Sequence, residues 1–199
     1  MTFYASRKKF SGLSSGIGKA FSKLGLSPNQ WTLLSILPAL GAFWFLVQGE
    51  YIYAAGMFIV SGFLDMVDGA VARETGKVSK KGAYLDTIVD RYVEFIVVFG
   101  IFFAAMYQGL PHFLMAAENW IFLFYFGSIM TTYAKAAAKE KGLGEINGGI
   151  IERAERLGIL FIGLVLASVE PLYLVYTIAL LAVLTNLSAL QRIMKARPI

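Results

Sequence analysis

The chain has 199 residues, of which 57% are hydrophobic and 16% charged, with a net charge of +5. About a quarter of the residues of an ordinary soluble domain are charged, so this composition belongs in a bilayer and is long enough for about six membrane helices. Cysteine is absent, which excludes disulfides, thiolate metal sites and cysteine nucleophiles.

The opening MTFYASRKKF lacks the charged, apolar, small-residue order of a cleavable signal peptide. In residues 9–24, KFSGLSSGIGKAFSKL, the apolar Phe10, Leu13, Ile17, Phe21 and Leu24 recur at helical spacing, with Lys9, Lys19 and Lys23 on other faces. This predicts an amphipathic helix on the membrane surface, its basic face toward anionic headgroups. Its glycines do not form a phosphate loop, because GxxxxGK[ST] is missing.

Six apolar stretches follow, at 29–48, 51–73, 82–108, 113–138, 149–169 and 171–193. The expected fold is therefore an all-α integral membrane protein with six transmembrane helices behind an interfacial helix. It reads as one domain over 1–199, with an arm at 1–27 and a bundle at 28–199. The short turns at 48–50, 108–112 and 169–171 carry no Lys or Arg, and all 18 Lys and Arg lie on the opposite side. By the positive-inside rule both termini and the longer loops are cytoplasmic. The net positive charge is thus a membrane signal, and no nucleic-acid partner is expected.

Spans two and three contain carboxylates that an apolar segment does not tolerate without reason, at about 2.5–3.5 kcal/mol each on insertion scales. The stretch is FLDMVDGAVARETGKVSKKGAYLDTIVDRYVE. Asp65 and Asp68 are i,i+3 neighbours, and Asp86 and Asp90 are i,i+4 neighbours, so each pair projects from one helix face. Two such faces turned together make an oxygen-rich site for hard divalent cations. Gly69, Ala72 and Gly82 permit close approach of backbone and ligand, and Arg73, Lys77, Lys80 and Lys81 ring the mouth. Metal-binding carboxylates beside cations suit a diphosphate.

The pattern Asp65-x2-Asp68-Gly69-x2-Ala72-Arg73-x8-Gly82-x3-Asp86-x3-Asp90 resembles the signature of the CDP-alcohol phosphotransferase family at every fixed position. The six-span layout with a preceding interfacial helix is similar as well. The resemblance implies an intramembrane transferase in which an alcohol attacks the β-phosphorus of a CDP-linked lipid and CMP leaves. It implies two divalent cations, Mg2+ or Mn2+, held by Asp65, Asp68, Asp86 and Asp90, with Asp90 also the catalytic base. Pro28, Asn29, Gln30, Trp31, Gly69, Ala72, Arg73, Ser79 and Gly82 would contact the CDP-lipid, and a homodimer is expected.

The acceptor is sought at the other cationic helix ends. Lys135 lies in TTYAKAAAKEKG, Arg153 and Arg156 in GGIIERAERLG, and Arg192 in ALQRI. Three such ends imply a second anion. Thr132, Lys135, Arg153, Arg156 and Arg192 are similar to the inositol-phosphate pocket of the phosphatidylinositol-phosphate and archaetidylinositol-phosphate synthase branch, from which Ala137 departs. Glu152 and Glu155 are close enough to orient the two arginines, while Lys139, Lys141, Lys195 and Arg197 read as residues that snorkel to headgroups. The inositol phosphate acceptor has glycerol 3-phosphate or another phosphorylated alcohol as its alternative. A cation transporter is the remote alternative, disfavoured because the acids gather at one membrane edge. His112 reads as a surface residue, Asn186 as an interhelical hydrogen-bonding group, Gly142 to Gly149 as a flexible loop, and Glu94 has no assigned role.

Overall fold

The computed structural model describes residues 14–143 and 148–196, and among these there is helix and no strand. Helix α1 covers 14–22, followed by α2 (Pro28–Leu34), α3 (Ile36–Val47), α4 (Tyr51–Glu74), α5 (Lys80–Ala104), a π-helical turn (Ala105–Gly109), α6 (Ala117–Glu140), α7 (Arg153–Ala167) and α8 (Leu172–Lys195). Phe10, Leu13, Gly144 and Arg197 lie outside the described residues. The chain divides into two compact units, Met1–Ala42 with Gly56–Val97, and Phe43–Ala55 with Val98–Ile199.

Among the described residues, three helical stretches are long and apolar enough to cross a membrane by length and composition: Pro28–Val47, Tyr51–Glu74 and Leu172–Lys195. The expected fifth span, 149–169, is helical only over the 15 residues of α7, or roughly 22 Å at 1.5 Å per residue. Its first residues are used as a loop and cap instead. Helices α5 and α6 are long, but charge is concentrated toward one end of each.

In the first unit α2 opens on a capping box. Ser27 accepts from the Gln30 backbone N–H, and the Gln30 side chain accepts from the Ser27 N–H at 2.7 Å, with Pro28 in the first turn. The break between α2 and α3 falls at Ser35, three residues before Pro38, which cannot donate to the Leu34 carbonyl. The Ser35 carbonyl at this joint accepts from Ser61 Oγ of α4 at 2.8 Å. Helix α4 ends in a Schellman motif: Gly76 has φ +65°, Lys77 N–H donates to the Ala72 carbonyl at 2.9 Å, and Gly76 N–H donates to Arg73. Two residues later Ser79 caps α5 by accepting from Gly82 N–H at 3.0 Å. The chain thus reverses within a few residues, and this turn sets the ends of α4 and α5 side by side.

Helix α1 packs on this unit through Ile17 and Phe21, which lie against Trp31, Val67 and Val71. Lys19, Lys23 and Leu24 are exposed, and Leu24 lies beyond the last residue of α1.

In the second unit α8 packs along both α6 and α7. Asn186 Nδ2 donates to the Leu123 carbonyl at 2.9 Å and to Ala182 at 2.8 Å, the interhelical role expected for it. On α6 Phe124 is buried, whereas Phe122 and Phe126 face outward. His112 is exposed in the turn before α6. Small residues let these helices approach, as is usual where apolar tails compete equally for apolar surface. A Cβ on Gly127 would clash with Thr185 Oγ1 and lie 2.9 Å from the Asn186 backbone nitrogen. Gly127→Ala is therefore expected to cost about 1–3 kcal/mol by overpacking. It should lower the melting temperature of the detergent-purified protein by several degrees, whereas Gly158→Ala, with nothing within 4 Å of its Cβ, should not.

Candidate active site

Asp65 and Asp68 lie on the last turns of α4, and Asp86 on the second turn of α5. One oxygen from each of these three carboxylates lies within 4.8 Å of the others. Asp68 is the most buried of the three, and Thr32 Oγ1 donates to its Oδ2 at 2.5 Å. A hard, all-oxygen donor set of this size fits a divalent cation such as Mg2+ or Mn2+, and the crowding of three anions gives the cation a reason to be there. Asp90 lies one turn further along α5, 9% exposed and outside this tight trio. Nearby, Arg91 Nη1 pairs with the buried Glu94 at 2.8 Å, which gives Glu94, left without a role in the sequence, a structural partner.

Beside the trio is a cavity of about 300 Å³ lined by Pro28, Asn29, Thr32, Asp68, Gly69, Ala72, Arg73, Lys77, Val78, Ser79, Gly82, Ala83 and Asp86. Seven of the nine residues expected at a CDP-lipid are therefore gathered around one space. The glycines are there for clearance. A Cβ on Gly82 would come within 3.1 Å of Ser79 Oγ and 3.3 Å of Asn29 Oδ1, and one on Gly69 within 3.2 Å of Arg73 Nη1. Ser79 accepts through its cap to Gly82, and its hydroxyl retains a proton with which to donate to a phosphate.

Gln30 and Trp31 are placed elsewhere. Gln30 closes the capping box of α2, and Trp31, 6% exposed, packs with Val67 and Val71. Both support the site from behind. Thr32 escaped sequence reasoning, although it lies one turn after Pro28 on the same helix face. A hydroxyl at that spacing from a cavity-lining residue, in an otherwise apolar stretch, is the signal that identifies it.

A cationic cluster lies in the second unit. Arg156 is 2% exposed and its Nη1 lies 3.4 Å from Thr131 Oγ1, while Arg192 Nη1 donates to the Thr131 carbonyl at 2.6 Å. The two arginines thus converge on one residue of α6. Gly149 lies against Arg192, and the neighbouring Ile151 N–H donates to Ser188 Oγ at 3.0 Å. Arg153 and Thr132 are half-buried, and Lys135 is exposed one turn beyond Thr131. Glu152 and Glu155 form the capping box of α7, a structural task beyond the orienting role expected of them.

Residues 26–189 match the CDP-alcohol phosphatidyltransferase family, and the chain belongs to that family. It is an integral membrane transferase. Archaetidylinositol phosphate synthase of Pyrococcus horikoshii is 35% identical over 182 residues, covering 91% of this chain and 89% of the relative. Phosphatidylinositol phosphate synthase of Mycolicibacterium smegmatis is 34% identical over 203 residues, covering 98% and 88%. The crystal structure of Mycobacterium tuberculosis phosphatidylinositol phosphate synthase with CDP-DAG bound superposes with a TM-score of 0.82 at 28% identity, covering 92% of each chain. The same enzyme has also been crystallised with manganese and citrate.

The Thr32 hydroxyl restrains the most buried carboxylate of the trio, so Thr32→Val, which keeps the volume and removes the donor, should weaken metal binding. Loss of such a supporting hydrogen bond typically costs 10–100-fold. Titration of the purified protein with Mn2+, followed by electron paramagnetic resonance, should give a dissociation constant raised about tenfold or more.

Proposed function

We propose that this protein transfers the phosphatidyl-type group of a CDP-linked lipid to 1-myo-inositol 1-phosphate, releasing CMP. The observation that supports this reading is a carboxylate-lined cavity with Arg73, together with the buried Arg156 and half-buried Arg192 around Thr131, which we read as two anion sites. A donor diphosphate and a phosphorylated acceptor need two such sites, and a non-phosphorylated acceptor needs one. The relatives named as inositol phosphate synthases support the same acceptor.

In this reading Asp65, Asp68, Asp86 and Asp90 hold two divalent cations, Mg2+ or Mn2+. When bound, these neutralise the diphosphate and make its phosphorus more electrophilic. Pro28, Asn29, Gly69, Ala72 and Gly82 shape the nucleotide space, with Gln30 and Trp31 fixing the helix that carries it. Arg73 and Ser79 donate to phosphate oxygens. The acceptor hydroxyl oxygen attacks the β-phosphorus, the bond from that phosphorus to the bridging oxygen breaks, and CMP leaves with that oxygen. Asp90 takes the hydroxyl proton. Thr132, Lys135, Arg153, Arg156 and Arg192 hold the acceptor's phosphate, supplying donors to a group that carries nearly two negative charges.

The same reading gives the membrane arrangement. Residues 28–199 act as one six-span catalytic domain with both termini and the site on the cytoplasmic side, α1 lies in the interface, and the protein is a homodimer. The one-sided distribution of all 18 Lys and Arg supports this orientation.

Two experiments test the assignment. Asp90→Asn should reduce turnover at least 100-fold while leaving calorimetric CDP binding near wild type; near-normal turnover would assign the proton to another group. Arg156→Ala or Arg192→Ala should raise the KM for inositol 1-phosphate about tenfold or more, as expected for lost charge-assisted hydrogen bonds of about 1.5–3 kcal/mol. CDP affinity should hold. Wild-type KM in both variants, or equal use of free inositol, would leave a CDP-alcohol transferase with a different acceptor.

A further inference from the structure

Helix α1 reaches Arg73. The Arg73 Nη2 donates to Ser14 Oγ at 2.9 Å, and on the next residue of each helix Ser15 Oγ donates to Glu74 Oε2 at 3.5 Å. The two helices meet because Gly18 has no side chain: a Cβ there would lie 2.7 Å from the Ala70 carbonyl oxygen and 3.1 Å from its carbon. Both clashes are with backbone, which cannot swing aside. Further along α1, Phe21 packs edge-on against Trp31 at 5.3 Å and against Phe63 at 5.7 Å. The helix is therefore docked at three successive turns, and the outermost contact ends on a cavity-lining guanidinium.

We infer that α1 is part of the nucleotide-binding machinery, with Ser14 a positioning residue that holds Arg73 across Gly69 and aims its remaining donors into the cavity. A guanidinium offers five N–H donors in a rigid fork, so one bond to Ser14 fixes the fork and leaves the others for a phosphate. An arginine on an exposed helix end otherwise samples many rotamers, and ordering it on binding opposes affinity. The ligand class is a nucleoside diphosphate. The inference rests on reading Arg73 as a phosphate contact, and the experiment separates the two.

CDP binding to the full-length, detergent-purified protein in Mn2+ is measured by calorimetry, with melting temperature followed in parallel. Ser14→Ala should weaken CDP about three- to tenfold, the range for one hydrogen bond to a charged group at a partly exposed site, with the melting temperature unchanged. Ser14→Thr should restore affinity. Gly18→Ala, which lifts α1 from Ala70, should give a similar loss, whereas Ser22→Ala, whose hydroxyl bonds only within its own helix to Lys19, should bind as wild type. Arg73→Ala should weaken CDP at least as much, and adding Ser14→Ala to it should change nothing further. Wild-type affinity in Ser14→Ala alongside weak binding in Arg73→Ala overturns the positioning role. Wild-type affinity in Arg73→Ala overturns the reading of Arg73 on which it rests.

Discussion

Three carboxylates within 4.8 Å of one another are the constraint around which the first unit is built. At an effective dielectric of about 20, each ionised pair at that separation repels by about 3 kcal/mol, before any cost of burial. A bound cation removes this repulsion, so the arrangement reads as a receptor for positive charge. The surrounding residues serve that receptor: Thr32 tethers Asp68, Arg73 brings a fixed cation to the cavity wall, and the glycines keep the space open for a polyanion.

Helix ends do most of the positioning. The Schellman turn at Gly76 and the Ser79 cap reverse the chain between α4 and α5, which brings the i,i+3 pair of one helix to the Asp86 face of the next. The capping box at Ser27 and the break before Pro38 place Thr32 against Asp68. These are local instructions with a nonlocal result, and they tie the geometry of the site to the spacing of the signature residues. One inserted residue in α5 would turn Asp86 by about 100° away from the trio. In the second unit the same economy appears at α7, whose own Glu152 and Glu155 close its first turn while Arg156 stays buried within the bundle.

Much of this was legible in the sequence because charge in an apolar stretch is conspicuous. Asp65, Asp68 and Asp86 identify themselves by period and by cost, Arg153 and Arg156 by standing in an apolar frame, and Arg192 by ending an apolar span. The all-helical fold follows from hydropathy, as does the role of Asn186. Less visible were groups whose chemistry is ordinary until a partner is known. Thr32 and Ser14 are common hydroxyls, and only the packing of α2 and α1 onto α4 gives them a carboxylate and a guanidinium to meet. Gln30 and Trp31 look like ligand contacts in SPNQWT, yet one closes a cap and the other fills the core behind the cavity. The shortness of α7 was hidden because Gly148 to Ile151 continue the apolar character of the span without its helical geometry.

If the carboxylate trio is a cation receptor, metal must stabilise the folded protein itself, independently of turnover. A ligand that binds only the folded state at 100 times its dissociation constant adds about 2.7 kcal/mol, enough to move a melting transition by several degrees. The decisive measurement is the melting temperature of the purified protein in Mn2+ against chelator, for wild type and Asp68→Asn. The account predicts a rise of several degrees in wild type that largely disappears in Asp68→Asn. Equal melting temperatures with and without metal in the wild-type protein would contradict it.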